Sequence, residues 1–366
     1  MSRLQETART IRTQAPRPPT LVPKPVPKIS TANTAALVQA QAQTQTQTLP
    51  SPAASAAITP PSTLYATAAI TPPSILYSGN TPRKISTTTA IVALTANGTQ
   101  DLERLCVALH SLKFLPDARN HSRPLAPIII FHENNIPHAT LTNFQNCTRR
   151  PLSSFPLVND YFDSYPPGFD PVKEQSPWPR RTKFGYAQMI RFFVTGLWKH
   201  PAIQGYETVM RLDNDATWDR NTLKNATFPD LPEDKVYHAN FLSLDPPEFC
   251  RGIWELAKNY IMNHNVSVAN PKMWRRFDRY YRKRGNQCLM WYNNFEVVRV
   301  QFMQQPQVQH WHETVTEHEP FGVYRRRWGD AIIRYLTMTF FAEPAGSILA
   351  TGESPAGYQH AGVSVD

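Results

Sequence analysis

The sequence predicts an α/β domain over residues 86–366, and three observations carry that prediction. A strand-like run, TTTAIVALTA (87–96), precedes a helix-period segment and a second strand-like run, APIIIFHENN (126–135). A long amphipathic stretch, Lys183–Lys199, leads to a further strand, Glu207–Leu212, that ends in Asp-x-Asp. Strands and helices then keep alternating as far as Phe341. Strand–helix–strand order argues for a parallel sheet.

Each element follows from its residues. Residues 87–96 are β-branched and continuously apolar, and Asn97-Gly98 breaks the run. Asp101–Leu115 sets Leu102, Leu105, Cys106, Ala108, Leu109 and Leu112 at helical spacing. Residues 126–135 form a short apolar strand with a polar end, and 136–182 carry many prolines and little pattern. In Lys183–Lys199, Phe184, Met189, Ile190, Phe193 and Leu197 share a face, and Pro201 stops the helix. Val236–Leu242 reads as a strand, and Gly252–Met262 and Asn270–Lys283 read as helices. A strand falls within Gln287–Val298, and Trp328–Phe341 is a final long helix.

Composition narrows the function classes. Residues 1–85 form a Pro/Thr/Gln-rich tail or linker expected to be disordered, with a near-duplicate at 56–65 and 68–77. Such a segment cannot bury enough apolar surface to offset its ordering entropy. The net charge of +10 invites a nucleic-acid reading, but its distribution opposes one. Residues 1–84 hold eight basic residues and one acid, net +7; the remaining 30 basic and 27 acidic residues give only +3. Four cysteines without CxxC or finger spacing exclude a disulfide-stapled miniprotein and a structural zinc module. No apolar run reaches the ~18 residues that span a bilayer.

The most informative segment is Arg211-Leu212-Asp213-Asn214-Asp215. A strand ending in Asp-x-Asp sets two carboxylates at its carboxyl edge, where open α/β sheets bind ligands. Hard oxygen ligands suit Mg²⁺ or Mn²⁺, and such an ion would neutralise a departing diphosphate.

Five ordered blocks make the reading specific. They are Gly185-Tyr186-Ala187-Gln188-Met189-Ile190-Arg191-Phe192-Phe193, RLDND at 211–215, Cys288-Leu289-Met290-Trp291-Tyr292-Asn293-Asn294-Phe295-Glu296, Arg327-Trp328-Gly329-Asp330-Ala331 and Gly357-Tyr358-Gln359-His360. In this order they resemble the SYxHMCRFF, RVEPD, CxFWSNFE, RWGDA and GYxH blocks of the fungal Golgi α-1,2-mannosyltransferases of glycosyltransferase family 15. The resemblance covers about residues 88–362 and identifies a divergent relative.

The resemblance implies a GT-A fold, with a mixed central sheet flanked by helices. It implies transfer of mannose from GDP-mannose to a mannose-containing glycan with retention of configuration, assisted by Mn²⁺ or Mg²⁺. It also implies roles, residue by residue. Asp213, Asp215 and His360 fall on metal-ligand positions of the family. Glu296 falls on a carboxylate beneath the donor sugar, as nucleophile or as stabiliser of an oxocarbenium-like state. Tyr186 and Asp330 fall on site residues near the sugars. Arg191 and Arg211 would neutralise or orient nearby carboxylates or phosphate, and with Tyr186 and Asp213 they are the candidate nucleotide-binding residues. The partners implied are a nucleotide sugar and a glycan acceptor, with no nucleic acid, and the compartment implied is the Golgi or secretory lumen. The signal anchor typical of this membrane-bound family has no counterpart among the apolar runs of this sequence.

The departures keep alternatives open. Asp213-Asn214-Asp215 replaces Glu-Pro-Asp, Ala96 replaces an arginine, and Ile332-Ile333-Arg334 replaces Pro-Val-His. A GT-A enzyme using another donor, such as a UDP-hexose, or a non-catalytic nucleotide- or glycan-binding relative remains compatible with them.

Blander readings apply to individual residues. Glu296 alone would read as a strand-end surface carboxylate, Asp330 as a helix cap, Tyr186 as a core tyrosine and His360 as a surface histidine. His312-Glu313 followed by Glu317-His318 lacks the histidine at 316 that a zinc-peptidase helix needs. The basic and aromatic run Trp274–Arg284 could meet RNA, phosphate or a membrane, and is commonly just a solvated helix face. Five N-x-S/T sequons, at Asn97, Asn120, Asn146, Asn225 and Asn265, are compatible with a secretory lumen, and cysteine pairing is not deducible.

Overall fold

The computed structural model describes residues 89–96, 98–115, 125–133, 136–157, 164–175, 184–219, 231–343, 345–350, 352, 355 and 357–360. The expected disordered tail of residues 1–85 and the sequons at Asn97, Asn120 and Asn225 lie outside these. All described residues belong to the unit Tyr77–Asp366.

The chain begins with β1 (Thr89–Thr95), α1 (Thr99–Ser111) and β2 (Ile128–His132), in the predicted order. The stretch without readable pattern contains α2 (His138–Cys147) and β3 (Leu152–Pro156). Their sequences hide them for physical reasons. Only Phe144 of α2 is buried, so the helix has no apolar stripe, and β3 is a half-exposed edge strand.

The predicted helix at 183–199 is interrupted. α3 (Gly185–Arg191) passes through a π-helical turn, Phe192–Gly196, into the short α4 (Leu197–Lys199). The widened turn leaves the Phe193 carbonyl to accept from the Trp198 indole at 3.1 Å and from Arg334 at 3.4 Å.

β4 (Thr208–Leu212) and β5 (Ala216–Trp218) flank the Asp-x-Asp loop. The single strand expected at Val236–Leu242 is two, β6 (Tyr237–Ala239) and β7 (Leu242–Asp245), which join different sheets. Buried Asn240 makes the break: its amide donates to Asn294 and its side-chain oxygen accepts from the Phe241 N–H. α5 (Ile253–Asn263) and α6 (Pro271–Lys283) follow as predicted. Gln287–Val298 again yields two strands, β8 (Cys288–Trp291) and β9 (Phe295–Arg299). The chain continues through α7 (Val300–Met303), α8 (Pro306–Thr316), α9 (Gly322–Arg325), α10 (Asp330–Phe341), β10 (Ile348–Ala350) and β11 (Tyr358–His360).

The central sheet has seven strands in the order β10-β6-β9-β4-β1-β2-β3. β9 pairs antiparallel with both β4 and β6, whereas β1, β2, β3 and β4 run parallel, so the sheet is mixed. Two antiparallel pairs, β5–β11 and β7–β8, sit beside it.

Strand alternation sorts side chains to two cores. Ile91, Ala93, Met210, Phe295 and Val297 face the core that includes Leu105, Leu109 and Phe144 of α1 and α2. Ala90, Val92, Val209 and Val298 face the larger core that α3, α4, α5, α6, α8 and α10 cover. By the same alternation, Arg211 of β4 and Glu296 of β9 point to the larger core, and the two residues are paired across the strands. A disulfide, Cys106–Cys147, ties α1 to α2. Cys250 and Cys288 are buried thiols.

Candidate active site

The site forms where β4 ends. Its loop carries Asp213 and Asp215, and β5 then turns back to pair with β11 in a register that sets His360 opposite Ala216. Tyr358 anchors β11. Its ring packs edge-on against Trp218 at 5.0 Å and Phe295 at 5.5 Å, and its hydroxyl donates to the Asn294 carbonyl at 2.7 Å. Gly357, just before it, has φ of +76°, a left-handed conformation that glycine adopts without steric cost. The Gly-Tyr-x-His block is therefore a device for delivering His360 to the Asp-x-Asp loop.

The delivery is close. His360 Nε2 lies 2.9 Å from Asp215 Oδ1 and 3.6 Å from Asp213 Oδ2, and Nδ1 lies 3.4 Å from the Tyr292 hydroxyl. Burial alone would lower the imidazole's pKa. Hydrogen bonds to Asp213 and Asp215, with their charges, outweigh burial and push it up to about 9. Burial would raise Asp215, but its bond to His360 prevails and holds it below the usual carboxylate range.

One ligand atom from each of Asp213, Asp215 and His360 can be chosen so that all lie within 4.8 Å of one another. Among the described residues this is the only group of three or more such side chains. Two carboxylate oxygens and an imidazole nitrogen suit a hard to borderline divalent cation. The fit is sound because Arg211 occupies Asp213 Oδ1 at 2.7 Å and leaves Oδ2 facing His360.

Behind this trio lies a buried layer of charge. Arg211, 6 % exposed, also donates to Asp330, and its guanidinium stands 4.0 Å over the Phe193 ring. Asn293 donates to the same Asp330 oxygen at 3.1 Å. Burial alone would raise Asp330, yet Arg211 and Asn293 outweigh it and keep the carboxyl below its ordinary range. Asp330 is the first residue of α10, after Gly329 at the cap position, so its charge sits in the helix's first turn. The carboxylate thus stands at a helix start and also bonds Arg211 and Asn293.

Glu296 is neither a surface residue nor at a strand end. It is the second residue of β9, 2 % exposed, and Arg334 grips both its oxygens, Nε at 3.0 Å and Nη2 at 3.2 Å. Tyr186, on the first turn of α3, faces Asp330; burial and that charge push its phenol up to about 12. Arg327 stands 6.0 Å from the Tyr186 ring.

Glu296, Asp330, Tyr186, Arg211, Asp213, Asp215 and His360 thus form one connected cluster. Arg191 is engaged elsewhere. It makes a two-pronged pair with Glu317 at 2.7 Å on both prongs and donates to the Ser164 carbonyl. Those bonds strap α3 to the end of α8, with a carboxylate as the partner of Arg191.

Four residues surround the cluster without being among the candidate site residues of the sequence. Arg334 is a lone cation in the apolar helix run AIIRYLTMTFF, a pattern that demands a buried acid and so was readable. Asn293 is recognisable only from its register. Asp245 ends β7, where burial drives its carboxyl up to about 6 beside Arg327 and Asp330. Arg327 adopts φ of +64° and lies 3.4 Å over the Phe249 ring. Of its neighbours, Arg325 is paired with Glu174 and Glu319, and Arg326 is exposed. His312 is fully buried against Thr337 and Glu313 pairs with Lys199, so the zinc-peptidase pattern is structural.

Known proteins share this arrangement of elements. Among solved structures the chain is similar to core-mannan synthase A (CmsA/Ktr4) from Aspergillus fumigatus in an Mn/GDP form, with a TM-score of 0.60, 19 % identity and coverage of 78 % of this chain and 76 % of that one. It is equally similar to the mannosyltransferase Ktr4p of Saccharomyces cerevisiae: TM-score 0.60, 19 % identity, coverage 75 % and 71 %. These likenesses identify the GT-A fold. In sequence it is 26 % identical over 171 residues to the probable mannosyltransferase KTR4 of Saccharomyces cerevisiae, covering 43 % of this chain and 35 % of that protein. It is 20 % identical over 197 residues to O-glycoside alpha-1,2-mannosyltransferase homolog 2 of Schizosaccharomyces pombe, covering 52 % of each. The chain thus spans between about a third and a half of these curated relatives. The family described as glycolipid 2-alpha-mannosyltransferase matches residues 176–364, just over half of the chain and all of the cluster around Asp213. With that match and the fold, the chain belongs to the glycolipid 2-alpha-mannosyltransferase family.

Proposed function

We propose that this protein is a divalent-cation-dependent glycosyltransferase that moves mannose from GDP-mannose to a mannose-bearing glycan with retention of configuration. The observation that carries the reading is the convergence of Asp213, Asp215 and His360 at the carboxyl edge of β4. Membership of the family and likeness to a fold solved with Mn and GDP in a relative support it.

Each residue then has a task. Asp213, Asp215 and His360 would hold Mn²⁺ or Mg²⁺, which when bound supplies positive charge to a departing diphosphate. Arg211 sets Asp213 at the proper angle and keeps Asp330 ionised, so Asp330 acts as a fixed acceptor for sugar hydroxyls. Tyr186 stays protonated at neutral pH and serves as a hydrogen-bond donor rather than a base. Both oxygens of Glu296 accept from Arg334, which favours electrostatic stabilisation of developing positive charge over attack as a nucleophile.

The Golgi or secretory lumen is part of the same proposal. The Cys106–Cys147 disulfide supports it, since such bonds persist in oxidising compartments. No helix among the described residues is long and apolar enough to cross a membrane.

The test is calorimetric titration of the full chain with GDP and with UDP, each with and without Mn²⁺, followed by transfer from GDP-mannose to an α-mannoside. Manganese-dependent GDP binding with transfer is expected. A preference for UDP would overturn the donor, and GDP binding without transfer would make the protein a binding relative.

A further inference from the structure

Outside the site, charge is most strongly segregated on α6, and there it surrounds a cavity. Lys272, Arg275, Arg276, Arg279 and Tyr280 line an open pocket of about 360 Å³. Residues three and four apart are neighbours on a helix surface, so all five stand on one side of α6. The four cations are exposed and Tyr280 is half-buried, with the Arg284 guanidinium 5.1 Å from its ring centre. The opposite side of the helix is apolar and committed to the core. Phe277 stacks on Tyr335 at 6.0 Å, Trp274 meets Phe340 at 5.9 Å, and Tyr281 stacks on Trp254 at 5.7 Å.

An ordinary solvated helix face mixes both signs. Here the helix has one acid, Asp278, which accepts from the Trp254 indole and lies 3.7 Å from Arg282. Elsewhere cations are matched: Lys199 with Glu313, Arg299 with Glu207, Arg325 with Glu174 and Glu319. Around the cavity, Lys272, Arg275, Arg276 and Arg279 have no carboxylate partner among the described residues. Lys272 repels Arg276, and Arg275 repels Arg279, because like charges four apart on a helix face one another. The helix C-terminus favours Arg282 and Lys283 in its last turn, but Lys272 and Arg275 stand near the N-terminus, where positive charge is disfavoured. A bound anion relieves this arrangement, and nothing in the helix itself does.

We propose that this cavity binds a phosphate-bearing hexose, either free or carried by a glycan. The phosphate part rests on the cavity alone, and the sugar part rests on the glycosyltransferase reading above. Guanidinium forks match phosphate oxygens two at a time, and a doubly charged phosphomonoester answers several cations at once. The volume lies at the lower end of the roughly 300–1,000 Å³ of small-ligand sites, which leaves room for a ring beside the phosphate. Tyr280 supplies a wall with a flat apolar face and a polar tip, which suits a pyranose. A single-stranded nucleic acid fits less well. It needs a row of rings for successive bases, and Trp274, Phe277 and Tyr281 pack inward. The cavity is also distinct from the Asp213 site. α6 starts against the far end of α10, where the Asn270 amide donates to the Met338 and Ala342 carbonyls, whereas Asp330 begins α10. It is therefore a second point of contact for a sugar ligand.

The test is calorimetric titration of the full chain with mannose 6-phosphate, mannose, inorganic phosphate and a 6-phosphorylated mannotriose. EDTA is present, so no cation bridges phosphate to Asp213 and Asp215, and with no donor present the readout stands apart from any failure of transfer. Mannose 6-phosphate is expected to bind about 10-fold tighter than inorganic phosphate, mannose not at all, and high salt to weaken the binding. Arg275→Gln/Arg276→Gln/Arg279→Gln should lower the affinity about 100-fold, with a melting temperature unchanged or raised as the check on folding. Tyr280→Leu should weaken mannose 6-phosphate about 10-fold and leave inorganic phosphate unchanged. A further variant, Arg9→Gln/Arg12→Gln/Arg17→Gln, controls for the basic N-terminal segment. Tighter binding of the trisaccharide would assign the cavity to a glycan, and equal binding to a free sugar phosphate. Equal affinity for inorganic phosphate and mannose 6-phosphate, an arginine variant that binds like the parent, or loss confined to the N-terminal control would each overturn the proposal. So would tighter, α6-dependent binding of a labelled single-stranded RNA.

Discussion

Arg334 and Glu296 form a buried, two-pronged ion pair at 3.0 and 3.2 Å, each residue 2 % exposed. The pair joins α10 to β9 and stands directly behind the Arg211–Asp330 contact. Removing one member strands a buried charge, which typically costs about 3–5 kcal/mol, whereas replacing both with apolar residues restores much of that. We expect Glu296→Leu and Arg334→Leu each to lower the urea midpoint sharply and the double variant to recover. Additive losses in the double-variant cycle would show that the two side chains do not depend on one another.

The cation site has a readout independent of transfer. Binding to the native state alone stabilises it. Mn²⁺ should therefore raise the melting temperature of the parent, and Asp215→Ala or His360→Ala should abolish that increment. An undiminished shift in both variants would remove these residues from the ligand set.

Asp245 predicts a specific pH dependence. Its carboxyl rises from 3.8 in the unfolded chain to about 6 in the native one, chiefly through burial. The native state then holds the proton that the unfolded state has already lost, so this residue's contribution to stability falls as pH rises from about 4 to 6. Asp245→Asn should flatten that segment of the stability profile and leave the protein more stable than the parent at pH 7, by on the order of 1–3 kcal/mol. Denaturant unfolding from acid to neutral pH measures it. Parallel profiles for the two proteins would contradict the assignment.

The disulfide closes a loop with a sequence separation of 41. Constraining a loop of that length in the unfolded chain is worth about 3–4 kcal/mol. Cys106→Ala/Cys147→Ala should lose that much in chemical denaturation while keeping the GDP response. Alkylation of all four cysteines in the unfolded protein without prior reduction would show that the bond is not formed.

Much of the fold was legible because long periodic segments leave strong marks. The first strand shows as a continuous β-branched, apolar run, and the helices at 101–115 and 270–283 carry apolar residues at helical period. What escaped had weak or divided marks. α2 buries only Phe144, and β6 and β7 read as one strand because nothing in sequence shows that Asn240 turns inward to bond Asn294. The site was readable where a block fixes geometry, as Gly357–His360 does. It was not where a residue's partner is chosen by packing. The sequence leaves carboxylate and phosphate both open as partners of Arg191, and the fold supplies Glu317 and the Ser164 carbonyl. Asp245 precedes two prolines and gives no hint of burial beside Arg327 and Asp330.

The seating of Tyr358 between Trp218 and Phe295 makes the trio depend on residues distant in sequence. In the native fold His360 meets Asp215 through the pairing of β11 with β5, with Tyr358 lodged against the Trp218 and Phe295 rings. The imidazole comes from the last element in chain order, far downstream of the two carboxylates it joins. Completion of the trio therefore depends on contacts between segments about 145 residues apart, His360 with Asp213 and Asp215, rather than on the Asp-x-Asp loop alone.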